Sequence, residues 1–315
     1  MEKIQEAIKK HRSSLSASSL KVYMTNLTKL KNTIDKNGKG GINFLKKREE
    51  VIEYLDKLKL ATQQTYLIAI RNALLAMNEK GKLDGLLEFY YNKFLNNKKV
   101  IDEERSKNEK TEKQEKNWAT MEELREVMED YGKKIKSDGL AKKGELSKKE
   151  MDLLQKWVVA NLYLHDENPP IRLDYSPMTV ISETELKDAP TDKNYLVVKS
   201  RNRKYFVFND FKTKKSQGAK EIKVGKKLNS ALNLWLKHNK SGTLLLNGSG
   251  KPMSSNHLSK YIMTVFAPTG KKIGASMLRH IYISERFPPV SKEKQEVADN
   301  MMHSVAEQGV YAKDD

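Results

Sequence analysis

The side chains best suited to chemistry lie in four short segments of the second half of the chain. The first, 169–175 (PPIRLDY), places Arg172 just after an apolar run, where an arginine normally avoids burial. The second, 209–215 (NDFKTKK), is a lysine-rich turn between two β-like runs. Taken alone, each has a simple structural explanation, because Arg172 can pair with Asp174 and a lysine-rich turn is usually only solvated.

The third segment, 276–280 (SMLRH), opens a predicted helix and carries Arg279. The start of a helix suits a phosphate, because it offers free backbone N–H groups and the positive end of the helix dipole. The fourth segment, 302–304 (MHS), contains His303, and Tyr311 follows eight residues after that histidine. Singly, a structural arginine and a packing tyrosine are the simpler explanations, so the order of all four segments carries the functional signal.

The elements that must position these side chains begin with a helical N-terminal third. Apolar residues spaced three and four apart from Leu20 to Ile34 form one helical stripe, with an N-cap predicted at Ser18 or Ser19. Three further helical patterns cover 44–60, 62–77 and 86–95. Four short helices with basic outer faces predict a compact bundle over residues 1–100.

A charged stretch at 101–116 predicts a linker, and 117–315 forms a second domain. Its helical patterns lie at 121–131, 148–164, 228–237, 254–266, 276–286 and 292–315. Its β-like runs lie at 178–181, 195–199, 204–208 and 221–224. The predicted fold class is therefore mainly α with a small antiparallel sheet, an N-terminal helical bundle being joined to an α+β domain.

The composition limits the classes of function. The 315 residues include 59 Lys and Arg against 41 Asp and Glu, a net charge of +18, which favours a polyanionic partner. The absence of cysteine excludes disulfides, thiolate metal sites and a cysteine nucleophile. With no P-loop pattern and no ligand spacing among six histidines, we expect neither cofactor nor metal. No apolar run reaches the ~18 residues of a membrane helix, and no signal peptide follows Met1, so we expect an intracellular protein without membrane contact.

The order of the four segments (Arg, turn Lys, Leu-Arg-His, late His, terminal Tyr) resembles the tyrosine recombinase family of the phage-integrase type. The resemblance runs from Arg172 to Tyr311 and also fits the layout of a helical DNA-clamping domain joined to an α+β catalytic domain. It implies a site-specific DNA recombinase or integrase. Such an enzyme cuts and rejoins DNA strands through a 3′-phosphotyrosyl intermediate and needs neither metal nor ATP.

The resemblance implies a role for each matching side chain. Tyr311 would attack a backbone phosphorus, and Arg172 and Arg279 would bind the equatorial oxygens of the transition state through their guanidinium forks. Lys212 would protonate the leaving 5′-oxygen, and His303 would hydrogen-bond a non-bridging oxygen.

Several neighbouring residues belong to the same hypothesis. Lys214 and Lys215 compete with Lys212 for the acid role, since a mobile turn can present any of them. Asp174 and His280 are expected behind the catalytic groups, with His280 buried in support of its helix.

This sequence departs from the family pattern at two places. Ser276 stands where the histidine of His-x-x-Arg is expected, so the usual proton-handling group is replaced by a hydroxyl that can still hydrogen-bond a phosphate. The His303 to Tyr311 spacing is one residue shorter than expected. Both departures indicate a divergent branch, such as one carried by a large DNA virus or a mobile element.

The expected partner is double-stranded DNA, gripped by both domains of a homo-oligomer, from dimer to tetramer. The protein would then lie with DNA in a nucleoid, a nucleus or a viral factory. The candidate phosphate contacts are basic residues in both domains, each of which positions the protein without specifying sequence: Lys21, Lys46, Lys47, Arg48, Arg71, Lys199, Arg201, Arg203, Lys214 and Lys215.

Three other interpretations remain open from the residues. A type IB topoisomerase uses the same constellation, although the helical N-terminal bundle favours a recombinase. A DNA-binding protein whose catalytic site has decayed would explain Ser276. An RNA-binding or general basic protein would explain the charge alone.

Overall fold

The computed structural model describes residues 1–35, 41–165 and 169–287. The chain divides into two compact units, Met1–Glu109 and Lys110–Asp315. The division falls inside the predicted linker 101–116, much of which is helical. His303, Tyr311 and the helix predicted at 292–315 lie outside the described residues.

The first unit is a helical bundle built around its most apolar helix. Its helices are α1 (Glu2–His11), α2 (Ala17–Ile34), α3 (Arg48–Asp56), α4 (Leu60–Met77) and α5 (Asp84–Ser106). The other four helices all pack against α4, which buries Leu67, Ile70 and Leu74 completely or almost so. Burial of such side chains contributes about 1.5–3 kcal/mol each, so the packing around α4 makes a large contribution to the stability of this unit.

Four local features of this unit differ from the sequence predictions. The helix α1 was not predicted. Ser16, rather than Ser18 or Ser19, caps α2, because its hydroxyl accepts the Ser19 N–H at 3.2 Å. The predicted helix at 44–60 is two elements, a 3₁₀ turn at Asn43–Lys46 and α3, separated by the non-helical backbone of Lys47. Finally, α5 continues well beyond residue 95 into the charged stretch.

The second unit combines helices with one small sheet. The helices are α6 (Glu112–Asn117), α7 (Met121–Ser137), α8 (Lys148–Leu164), α9 (Lys214–Gln217), α10 (Lys226–His238), α11 (Ser255–Val265) and α12 (Ala275–Arg286). Capping boxes begin α6, α7 and α8, which explains their well-defined starts: Thr111 with Gln114, Thr120 with Glu123, and Ser147 with Glu150.

The strands are β1 (Met178–Ser182), β2 (Asn194–Val198), β3 (Lys204–Phe208) and β4 (Lys220–Lys223), in that spatial order. The mainly helical fold with one small sheet is confirmed. The prediction of a wholly antiparallel sheet is wrong, because β1 pairs with β2 in parallel. The residues between these two strands include a 3₁₀ turn at Glu185–Asp188 and return the chain to the end at which β1 began, whereas a tight hairpin would give an antiparallel pair.

The main core of this unit lies between the sheet and α8. Leu196 and Phe206 of the sheet face the same core as Val158, Leu162 and Tyr163 of α8. The opposite face of β2 and β3 is also covered, by a smaller cluster that includes Tyr195 and Tyr205. Because both faces of the central strands are buried, the residues at their ends are held in fixed positions.

Among the described residues, no helix is both long and apolar enough to cross a membrane. Within the same residues, no group of three His, Asp or Glu side chains is arranged to hold a metal ion.

Candidate nucleic-acid site

The segment that carries Arg172 is anchored from both sides by buried tyrosines. The hydroxyl of Tyr163, on α8, donates a hydrogen bond to the backbone carbonyl of Arg172 at 2.7 Å. Tyr175 is buried, with its ring centroid 5.6 Å from that of Tyr163 and 5.2 Å from that of Phe206. The Arg172 backbone is therefore fixed against both α8 and the sheet, while its own side chain stays partly exposed.

Arg279 reaches the same place from α12. Leu278 and Ile281 bury one face of this helix, and Arg279 lies beside that face, partly buried, with its Nε donating to the Ala275 carbonyl at 3.3 Å. Asp174 lies within electrostatic range of both guanidinium groups. The two arginines, separated by about a third of the chain, thus both lie within electrostatic range of one carboxylate.

The charges around Asp174 act in opposite directions. Burial raises the pKa of its carboxyl, Arg172 lowers it, Asp210 raises it and Arg279 lowers it, for a net rise. Burial also raises the pKa of the Tyr163 phenol, with Tyr175 and Asp174 adding to the rise and Arg279 opposing it. Arg279 is therefore also within electrostatic range of the phenol that anchors Arg172.

Asn194, the first residue of β2, joins the Arg172 segment to the segment that leads to Lys212. Its Nδ2 donates to the carbonyl of Asp174 at 3.1 Å and to that of Asp210 at 2.8 Å. Its Oδ1 accepts the backbone N–H groups of Asn209 at 2.9 Å and Asp210 at 2.8 Å. Lys212 follows Asp210 by two residues and is exposed.

The three lysines of this turn differ in their surroundings. The Lys214 Nζ donates to the Thr191 carbonyl at 3.1 Å, which occupies that ammonium group within the protein. Lys212 and Lys215 are both exposed, and only Lys212 precedes α9, on the side that Asn194 fixes. These contacts favour Lys212 over Lys214 for the acid role, which stays a prediction.

Of the remaining residues of the predicted site, two are exposed on α12 and two lie outside the described residues. Ser276 is exposed in the first turn of α12. The expectation that His280 is buried is wrong, because this side chain is exposed. The physical reason is the helical period: Leu278 and Ile281 point into the core, and a residue two positions after Leu278 lies on the opposite side. The roles predicted for His303 and Tyr311 concern residues outside those described.

The phosphate-contact candidates of the first unit lie in different environments. Lys21 lines a groove of about 1160 Å³ along α1 and α2. Lys47 pairs with Asp35 at 3.5 Å, Arg48 stacks over the Phe89 ring, Arg71 stacks over the Tyr91 ring, and Lys46 is exposed. None of these contacts tests DNA binding, so their role stays a prediction.

Three candidates of the second unit lie at the turn between β2 and β3, whereas Lys214 and Lys215 lie in α9. Arg201 and Arg203 are exposed in that turn, and Lys199 pairs with Glu183 at 2.7 Å and lies over the Tyr205 ring. The length of β2 separates this turn from Asn194 by about 13 Å along the strand.

Two polar residues of the sheet were missed by sequence reasoning. Asn194 opens a hydrophobic strand, and an asparagine at a strand end gives no distinctive signal. Lys204 is only 6% exposed within β3 and donates to the Asn202 carbonyl at 2.9 Å, to Asn229 Oδ1 at 3.2 Å and to Asn233 Oδ1. Burial lowers its pKa to about 8. Because the chain is rich in lysine, nothing in the sequence singled out Lys204.

No protein-family model matches the sequence, and the comparison with curated proteins finds no match. Among solved structures, the chain is similar to XerA recombinase, with 10% identity, a TM-score of 0.33, and coverage of 99% of this chain and 94% of that one. It is also similar to the XerH site-specific recombinase bound to a palindromic difH substrate in a post-cleavage complex. There the identity is 16%, the TM-score is 0.45, and the match covers 98% of this chain and 79% of that one. Both similarities are distant.

Proposed function

We propose that this protein cleaves and rejoins DNA strands as a tyrosine-type site-specific recombinase. The observation that carries the proposal is that Arg172 and Arg279, which come from distant parts of the chain, both lie within electrostatic range of Asp174. Two guanidinium groups offer more N–H donors than one carboxylate can accept, so the pair retains capacity for a phosphodiester. Asn194 adds to this support, because it connects the Arg172 segment to the segment of Lys212.

The proposed reaction exchanges one phosphate ester for another and therefore needs no external energy source. The Tyr311 hydroxyl gives its proton to water and its oxygen attacks a backbone phosphorus, the bond from phosphorus to the 5′-oxygen breaks, and a 3′-phosphotyrosyl ester forms. Lys212 supplies a proton to the leaving 5′-oxygen, while Arg172 and Arg279 stabilise the charge on the equatorial oxygens. Attack by a 5′-hydroxyl of another strand reverses these changes. His303 would hydrogen-bond the phosphate, and Ser276, exposed in the first turn of α12, could do the same.

The proposal includes double-stranded DNA as substrate and assembly of several protomers on it. The net charge of +18 supports a polyanionic partner. A DNA-binding protein that has lost catalysis is the second candidate, favoured by the serine at position 276. A type IB topoisomerase would form the same covalent ester but relax supercoiled DNA.

The experiment is a search for the covalent ester. We expect the full-length protein, incubated with duplex DNA carrying a nick or a 5′-bridging sulfur, to give a protein–DNA band that survives SDS. Tyr311→Phe should abolish the band because it removes the nucleophilic oxygen, and Tyr282→Phe is the matched control. A band that persists in Tyr311→Phe would reassign the nucleophile, and binding without any band would favour the second candidate.

A further inference from the structure

We propose that Asn194 is a positioning residue, which holds the Lys212 segment against the Arg172 segment so that acid and arginines act on the same phosphate. This inference rests on the proposed function. Asn194 is 7% exposed, and its amide makes four hydrogen bonds, two donated and two accepted. These use both N–H groups and both lone pairs of the carboxamide, so no other side chain of this size can replace it.

The bridge that Asn194 makes differs from the other contacts of the same turn. Asn209 Nδ2 donates to the Lys193 carbonyl at 2.9 Å, and Lys214 Nζ donates to the Thr191 carbonyl at 3.1 Å. Both contacts are at the surface and tie the turn only to the segment that precedes β2. Asn194 is buried and also holds the carbonyl of Asp174. It is therefore suited to set the spacing between the two halves of the site.

Loss of this bridge should displace the lysine more than the arginines. The Arg172 backbone keeps its hydrogen bond from Tyr163, and Tyr175 stays packed among aromatic rings. The turn at 209–213 contains the exposed residues Asp210 and Lys212 and depends on Asn194 for two of its backbone N–H groups. We therefore infer that Asn194 acts on catalysis through Lys212.

The first test separates loss of the general acid from loss of the whole site. We expect Asn194→Ala to slow cleavage of ordinary DNA by about 10²-fold, as loss of general acid catalysis does. It should cleave DNA with a 5′-bridging sulfur at nearly the wild-type rate, because a thiolate leaves without a proton. Lys212→Ala should behave in the same way, and the control Asn209→Ala should retain both rates. Equal slowing on both substrates, or no slowing, would overturn the inference.

Asn194→Asp provides a second variant that keeps the size of the side chain. Its carboxylate can accept the two backbone N–H groups but opposes the carbonyl oxygens of Asp174 and Asp210. Protonation restores one donor, so the ratio of its rate to that of wild type should rise as the pH falls through the range in which a carboxyl titrates. A ratio independent of pH would contradict the role of the donated bonds.

Hydrogen exchange tests the same bridge without reference to activity. The backbone amides at positions 209 and 210 should lose their protection from exchange in Asn194→Ala and keep it in Asn209→Ala. Unchanged protection in Asn194→Ala would overturn the inference even if the wild-type protein cleaves DNA. Conversely, lost protection in a protein that forms no covalent ester would reject the proposed function and leave Asn194 as a structural bridge only.

Discussion

The four-stranded sheet of the second unit holds basic side chains near both of its ends, and their neighbours differ. Near the start of β2, Arg172 and Arg279 both lie within electrostatic range of one carboxylate, that of Asp174. Where β3 begins, the Lys204 ammonium is surrounded by a backbone carbonyl and two amide oxygens. Three acceptors match the three N–H groups of a lysine, so Lys204 is satisfied within the protein. The arginine pair keeps donors in excess, which is the property that an anionic substrate requires.

The comparison teaches that burial of a cation does not by itself mark a functional site. Lys204 is the more deeply buried and has a lowered pKa, two features often associated with catalysis. Its acceptors are neutral, however, and all three of its N–H groups are used. Two of these bonds connect β3 to α10. We therefore assign it a structural role and place the proposed chemistry at the other end of the sheet.

The largest expected effect separates these two roles. Arg172→Ala should lower the rate of covalent ester formation by about 10³-fold, because it removes a charged donor to the transition state. Lys204→Met should change the rate by no more than a few-fold in samples that remain folded. The measurement is single-turnover cleavage of nicked duplex DNA, with circular dichroism as the folding control. A Lys204→Met protein as inactive as Arg172→Ala would remove the distinction between the two ends.

A smaller effect concerns stability as a function of pH. Lys204 has a pKa of about 8 in the folded protein, compared with 10.5 for an ordinary lysine. Between these values the unfolded state binds a proton that the folded state does not, so this group makes folding more favourable as the pH rises. The unfolding free energy of wild type should therefore rise relative to that of Lys204→Met between about pH 8 and pH 10.5. Urea denaturation across that range measures the shift, and parallel curves for the two proteins would contradict it.

The smallest effect concerns the exposed arginines of the turn between β2 and β3. If Arg201 and Arg203 each contact a phosphate, the double alanine variant should reduce the slope of log affinity against log salt by about 2. Affinity should fall for all duplex sequences alike, because phosphate contacts carry no sequence information. Salt titrations of DNA binding provide the measurement. An unchanged slope would show that this end of the sheet does not touch DNA.

Local sequence patterns were sufficient for much of the fold. The helix at 148–164 and the strand at 204–208 have the predicted bounds, because a capping box starts one and a continuous apolar run defines the other. Patterns could not give the direction of β1 relative to β2, which depends on the path of the connection between them. They also missed α1, whose two fully buried residues, Ile4 and Ile8, make too short a stripe to stand out.

By itself, the sequence determined which side chains are available for chemistry and in which kind of element each lies. Those properties follow from residue type and from periodicity over a few turns or a few strand residues. The tertiary structure alone decided that Arg172 and Arg279 both lie within electrostatic range of Asp174, that His280 faces solvent, and that a buried asparagine joins two segments of the site. Such proximity of distant segments arises when their apolar faces pack into one core, and no local pattern indicates which faces will do so.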